Sequence, residues 1–230
     1  MKILLFGKNG QIGKSLYKIL KNKHNILALG RKECDFTIEG EISKIFNNLN
    51  IDLVINAAAY TDVDLAEKNS NEAYLINSNS LKVISEITKK IGIPIISYST
   101  DYVFDGNSKN KYNEESKPNP INLYGKTKLL GEENLKTNDK YIIIRTSRVF
   151  SNSGNNFINK ILTLAKKNNE LKIVNDQIAT PTSSDYISKI TSKLIDYMEK
   201  NDNKIKYGIY HITARGSCSW HDYAKFIIEV

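Results

Sequence analysis

The sequence predicts an α/β fold, a doubly wound parallel sheet with a smaller carboxyl-terminal lobe. Three observations predict it. Short apolar runs of strand length alternate with longer runs of helical periodicity, and no internal repeat interrupts them. The first apolar run passes directly into a glycine-rich turn and then a helix. The third ends in small residues, which leave room for a ligand outside the carboxyl ends of such strands. At 230 residues the chain is long enough for one large domain with an appendage and a proper core.

Residues 2–6 read as a fully apolar strand of the kind found in the middle of a parallel sheet. Gly7-Lys8-Asn9-Gly10-Gln11-Ile12-Gly13 follows, and 15–20 has a helical pattern. Gly7 permits the turn, Gly10 lets the backbone approach a pyrophosphate, and Gly13 allows close helix–strand packing. The helix amino terminus then offers unpaired N–H groups and a positive dipole end to phosphates. An ordinary glycine turn is the competing reading, but the strand–turn–helix context is that of a Rossmann-type dinucleotide site. The expected division is a dinucleotide-binding domain over 1–150, with substrate-lobe segments interleaved with returning sheet elements over 151–230.

Residues 25–29 form the second strand. A carboxylate at its end would take a ribose 2′-hydroxyl, but the chain reads Gly30-Arg31-Lys32 there. Arg31 suits the 2′-phosphate of NADPH through a bidentate fork. NADH is the alternative, with Arg31 merely exposed and Glu33 or Asp35 at the ribose. A helix over 41–49 precedes the third strand, 51–56, which runs into Ala57-Ala58-Ala59-Tyr60-Thr61. Residues 71–90 read as one long amphipathic helix with Ala73, Ile76, Leu81, Ile84 and Ile87 on its apolar face.

The fourth strand, 93–98, ends in Ser99-Thr100-Asp101. Asn122-Leu123-Tyr124-Gly125-Lys126-Thr127-Lys128 then opens a helix. Tyr124 and Lys128, four apart, share one helix face. An ammonium beside a phenol lowers its pKa, and the hydroxyl can then give a proton to a carbonyl that is receiving hydride. Thr100 would hydrogen-bond the same oxygen. Tyr17 and Lys21 match the same spacing but lie in the first helix, where they read as structural. Tyr124 differs by its context: a Ser-Thr-Asp strand end before it and the flexible Gly125 beside it.

Downstream, 141–145 and 171–174 read as strands, 155–167 and 184–200 as helices, 207–212 as a strand and 219–230 as a helix. The polar loop of Asn175-Asp176-Gln177 and Ala179-Thr180-Pro181-Thr182 suits sugar hydroxyls as well as it suits turn and capping chemistry.

Net charge is +8, yet the cations are spread along helices with no basic block interleaved with aromatics. Solvated helix faces are the expectation, not nucleic-acid binding, and a positive field also suits an anionic nucleotide sugar. Cys34 and Cys218 match no metal-ligand spacing, and His211 and His221 have no paired nucleophile, so no metal is expected. No leader and no membrane-length apolar run is readable, which points to a soluble cytoplasmic protein without membrane contact.

The chain resembles the dTDP-4-dehydrorhamnose reductase family, within the extended short-chain dehydrogenase/reductases. The matching pieces run in order along essentially the whole chain: 4–13, 54–61, 98–104 and 124–128, then Arg145-Thr146-Ser147, Gly154-Asn155-Asn156-Phe157, Asn175-Asp176-Gln177 and Pro181-Thr182. The resemblance implies a catalytic set of Thr100, Tyr124 and Lys128, with Lys128 also holding the nicotinamide ribose. It implies cofactor contacts at Gly10, Gln11, Ile12, Asp35, Phe36, Ala59, Tyr60 and Thr61, beside the glycines Gly7 and Gly13. It places Thr100 and Asp101 on the sugar. The implied reaction reduces the 4-keto group of a dTDP-6-deoxy-hexulose to dTDP-L-rhamnose. Two departures stand out. Arg148 follows Arg-Thr-Ser where the family usually has a sugar-packing Trp, so a contact to phosphate or to a more polar sugar is expected there. The family also runs several tens of residues further, which implies a shortened substrate lobe. A homodimer is common among related proteins, although no surface patch in the sequence establishes one. The competing functions on this fold are a nucleotide-sugar epimerase or dehydratase, and a non-catalytic binding or regulatory subunit.

Overall fold

The computed structural model describes residues 1–47, 49–108, 110–152, 154, 156–201 and 204–229. Asn48, Asn155 and Val230, which the sequence reading placed in helices, lie outside the described residues. The first half contains β1 (Lys2–Phe6), α1 (Gln11–Leu20), β2 (Asn25–Leu29), α2 (Glu41–Phe46), β3 (Leu53–Asn56), α3 (Val63–Lys68), α4 (Ser70–Tyr74), a π-helical segment (Leu75–Asn79), α5 (Ser80–Ile91) and β4 (Ile95–Thr100). The second half contains α6 (Leu123–Leu135), β5 (Tyr141–Thr146), β6 (Val149–Phe150), α7 (Phe157–Ala165), β7 (Ile178–Ala179), β8 (Thr182–Ser183), α8 (Ser184–Lys200), β9 (Gly208–His211), β10 (Cys218–Ser219) and α9 (Trp220–Glu229).

Six strands form the central sheet in the order β2-β1-β3-β4-β5-β9, and each neighbouring pair is parallel. Strand residues alternate between the two faces, and both faces are covered. Thus Ile3 and Leu5 join one core cluster with Leu16 and Leu20 of α1 and Ile187, Ile195 and Met198 of α8. Leu4 and Phe6 join the other, with Ile42 of α2, Leu81 and Ile84 of α5 and Leu135 of α6. The chain moves from β1 to β2 on one side and returns to β3 on the other. The carboxyl ends of β1 and β3 therefore flank a topological switch point. β6 pairs with β8, and β10 with β7, in two small two-stranded sheets outside the main one.

Several elements differ from the sequence reading. The expected long helix is present from Ser70 to Ile91, but the π segment divides it. Ala73, Leu81 and Ile84 are buried as expected, whereas Ile76 and Ile87 are only half-buried. The short helix α3 was not anticipated; the Asp62 side chain caps it by accepting the Leu65 N–H at 2.9 Å. The strand expected over 171–174 does not form. Val174 is exposed, and its carbonyl instead accepts from the His221 N–H at 3.0 Å, so this segment meets the first turn of α9 without joining a sheet. Among the described residues no helix is long and apolar enough to cross a membrane.

The π segment sets how closely α6 approaches. A Cβ at Gly131 of α6 would stand 2.1 Å from the Asn77 carbonyl oxygen and 2.7 Å from Leu81 Cδ1. Backbone cannot yield that distance without moving the helix. Gly131→Ala is expected to destabilise the fold by about 1–3 kcal/mol through overpacking, read as a lowered midpoint in urea unfolding.

Candidate active site

At the switch point the chain after β1 meets the chain after β3. Gly7 has φ +85°, and a Cβ there would lie 2.4 Å from Ala58 N. A Cβ at Gly13 would lie 2.0 Å from the Gly7 carbonyl oxygen. Both positions thus require glycine, for conformation at the first and for closeness at both. Gly10 is the N-cap of α1 and gives it no side-chain cap, so the first N–H groups of the helix stay available.

These turns open onto a cleft of about 480 Å³. It is lined by Gly7 and Gly10 after β1, by Arg31, Asp35 and Phe36 after β2, and by Ala59, Tyr60 and Thr61 after β3. Gln11, Ile12 and Gly13 stand behind that surface. Gln11 Nε2 donates to the Val149 carbonyl (3.3 Å) and its Oε1 accepts from Ser151 Oγ (2.9 Å), while Ile12 packs on the core. Arg31 is exposed at the rim, but its fork is engaged: Nε donates to Asp35 Oδ2 at 3.0 Å, and Nη2 pairs with Glu72 Oε1 at 3.0 Å. Glu33 is turned to Lys8 (2.7 Å) and to the Gly30 N–H (2.8 Å), leaving Asp35 as the carboxylate of that pair on the cleft. Cys34 also lines the cleft and is an unpaired thiol, pushed up to about 11 by burial.

Thr100 ends β4, and Tyr124 and Lys128 stand on the buried face of α6. Asn122 starts that helix by accepting the Gly125 N–H at 2.8 Å. The flexibility expected of Gly125 is not its role. A Cβ there would stand 2.2 Å from the Tyr102 carbonyl oxygen, so this glycine is a point of close packing. Tyr124 lies edge-on to Tyr102, with ring centroids 5.6 Å apart. Burial pushes the Tyr124 hydroxyl above its ordinary pKa, a hydrogen bond with Thr100 draws it down, and Asp101 and Tyr102 add to the rise. The lowering expected from the Lys128 ammonium is therefore not what the site displays. Lys128 is buried and donates to the Tyr98 carbonyl at 2.7 Å; desolvation pulls it down to about 8 and the Glu132 charge opposes the fall.

Asp101 follows Thr100 and accepts from Ser147 Oγ (2.6 Å) and from Thr100 Oγ1 (3.2 Å). Burial raises its carboxyl, and these hydrogen bonds pull the other way. Arg148 is the one non-glycine residue with positive φ among those described, at +41°. Its side chain donates to the Cys218 carbonyl (2.8 Å) and the Gln177 carbonyl (2.5 Å), and lies 3.9 Å over the Trp220 ring. The guanidinium expected to meet a phosphate or sugar thus clamps β10 and the 175–177 turn.

Two residues that the sequence reading passed over hold this arrangement. Asn77, fully buried in the π segment, accepts the Tyr60 N–H (2.9 Å) and donates to the Tyr60 carbonyl (3.0 Å) and to Thr127 Oγ1 (3.1 Å). It joins the cleft wall to the turn after Tyr124. A polar residue at 77, between Ala73 and Leu81 on an otherwise apolar face, was the available signal. Glu132 is equally buried and lies four residues after Lys128. It accepts from Ser99 Oγ (2.5 Å) and takes Arg145 in a bidentate pair (3.0 and 2.6 Å). Its spacing from Tyr124 and Lys128 was the signal there.

A parallel doubly wound sheet, a glycine turn at its switch point and a Thr/Tyr/Lys set at the neighbouring strand end define a short-chain dehydrogenase/reductase of the extended kind. The family model described as the RmlD substrate binding domain matches residues 1–230, and the chain belongs to that family. The dTDP-4-dehydrorhamnose reductase of Shigella flexneri is 38% identical over 234 residues, covering 100% of this chain and 78% of that protein. The crystal structure of a dTDP-4-dehydrorhamnose reductase ortholog from Clostridium acetobutylicum superposes with a TM-score of 0.91 at 41% identity, covering 100% of this chain and 80% of that one. That of the Bacillus anthracis dTDP-4-dehydrorhamnose reductase in complex with NADP gives 0.89 at 35% identity, covering 99% and 80%.

Removing one member of the buried Arg145–Glu132 pair leaves the other charge uncompensated. Arg145→Met is expected to destabilise the protein by about 3–5 kcal/mol, and the double change Arg145→Met with Glu132→Leu by markedly less. Chemical denaturation of the wild type and these two variants checks this.

Proposed function

We propose that this chain is an NAD(P)H-dependent reductase of a nucleotide-linked 4-keto-6-deoxy sugar, taking dTDP-4-dehydrorhamnose to dTDP-L-rhamnose with NADPH preferred and NADH accepted. The observation that carries this reading is the burial together of Thr100, Tyr124 and Lys128, with Thr100 hydrogen-bonded both to Tyr124 and to Asp101. The names of the relatives supply the substrate. The cleft fits a dinucleotide on its own features: an uncapped helix amino terminus at Gly10, a wall of small residues, and a cation at the ribose end.

Reduced nicotinamide, when bound, supplies the hydride. Everything else falls to the side chains. Burial keeps Tyr124 protonated, as a proton donor to the forming alkoxide must be. Thr100, its hydrogen-bond partner, orients the same oxygen and stabilises its growing charge. Lys128 brings a positive charge into a site from which water is excluded, and is assigned to the nicotinamide ribose. Asp101, held by Ser147, faces the sugar hydroxyls. Arg148, whose guanidinium holds the Gln177 and Cys218 carbonyls, is assigned to the substrate side. Gly10 and Gly13, with Gln11 and Ile12, shape the pyrophosphate turn, and Asp35, Phe36, Ala59, Tyr60 and Thr61 enclose the rest of the cofactor.

NADPH oxidation with dTDP-4-dehydrorhamnose tests the assignment. Tyr124→Phe is expected to lower kcat by about 10²–10⁴-fold while retaining NADPH binding; full turnover in that variant would sink the proposal. The pH profile tests Lys128. The residue is a cation below about 8 and neutral above, so kcat/KM should fall as the pH rises through that value. A profile flat across this region would remove the need for its charge.

A further inference from the structure

Arg31 is bound from two directions, and the two carboxylates are not equivalent. Asp35 belongs to the same loop and is fixed in place. Its Oδ1 accepts from the Thr37 N–H (2.9 Å) and Thr37 Oγ1 (2.7 Å), and its own N–H donates to Glu41 Oε2 (2.9 Å). Glu72 comes from α4, and among the described residues its side chain has one partner, Arg31 Nη2 at 3.0 Å. One guanidinium between two carboxylates sums to a net charge of −1. A 2′-phosphate brought to this corner meets that residual negative charge, and must share the fork's donors with a competitor already in place. A 2′-hydroxyl meets no such opposition, since Asp35 can accept from it.

We propose that Glu72 is a specificity-determining residue for the cofactor: by occupying the Arg31 fork from α4 it limits discrimination in favour of the 2′-phosphate, so that the cleft takes both dinucleotides. This rests on the reading of the cleft as an NAD(P)H site. Glu72 is the adjustable member of the triad because its side chain is partly exposed and, among the described residues, has no second partner, whereas Asp35 is anchored. Arg31 is 64% exposed, so solvent screens the triad and the effect is moderate in size.

The test is direct binding without substrate. NADPH, NADH, 2′,5′-ADP and 5′-ADP are titrated into the wild-type chain, Glu72→Gln and Glu72→Ala, with thermal melting to establish that each variant is folded. Both variants should bind NADPH and 2′,5′-ADP about three- to tenfold more tightly than the wild type, with NADH and 5′-ADP nearly unchanged. In an Arg31→Gln background the same Glu72 changes should alter the preference little, because the effect acts through the fork. An unchanged NADPH-to-NADH ratio in folded Glu72 variants overturns the inference, and so does an equal gain for both dinucleotides. Failure of the wild-type chain to bind either dinucleotide removes the cofactor reading itself, and this inference with it.

Discussion

The backbone of α6 rests against two carbonyl groups at distances no Cβ would allow, Tyr102 at Gly125 and Asn77 at Gly131. That approach brings the whole helix face onto β4 and the π segment, and it explains why the face can be polar. Tyr124, Thr127, Lys128 and Glu132 are all buried there, each with a partner supplied by a neighbouring element. A helix held a few ångströms further out would admit water to these groups. The site's unusual proton affinities, a raised phenol and a lowered ammonium, both follow from that exclusion.

Burying charge is costly unless partners come with it. Here they come in sequence along α6 and the strand ends beneath it. Lys128 is received by the Tyr98 carbonyl, Glu132 by Ser99 and Arg145, and the guanidinium of Arg145 also lies over the Phe104 ring at 5.1 Å. Neighbouring strands β4 and β5 place these partners in register, Ser99 beside Arg145 and Thr100 beside Thr146. The chemistry-bearing strand end and the helix above it are therefore one electrostatic unit.

On the far side of that unit the chain is held by a different device. Arg148 turns the backbone through a left-handed conformation after β5, and its guanidinium, 3.9 Å over the Trp220 ring, gathers the 175–177 turn and β10. Tyr223 stacks with the same indole and with Phe157, which lies tilted against Trp220, so the small lobe has an aromatic centre of its own. Ser147, one residue earlier, bonds Asp101 and accepts from the Thr180 N–H at 3.3 Å. Two adjacent residues thus couple the lobe to the sheet.

The sequence by itself determined the architecture and the corner where the cleft opens. Strand-length apolar runs, a glycine turn between strand and helix, and small residues after β3 are local signals, because periodicity and backbone conformation are set within a few residues. Tyr124 and Lys128 were legible for the same reason: a spacing of four fixes a shared helix face. Their electrostatic state was not, since it depends on Tyr98, Thr100 and Glu132 arriving from other elements. Nor were the division of the long helix at Asn77, the capture of Arg31 by Glu72, or the bonding of the Arg148 guanidinium to two backbone carbonyls. The failed strand at 171–174 makes the same point, having the pattern of a strand but bonding the first turn of α9 with no sheet edge to join. Tertiary structure decided these because each is a contact between segments distant in sequence, and whether a charge or an edge finds its partner is settled only when those segments meet.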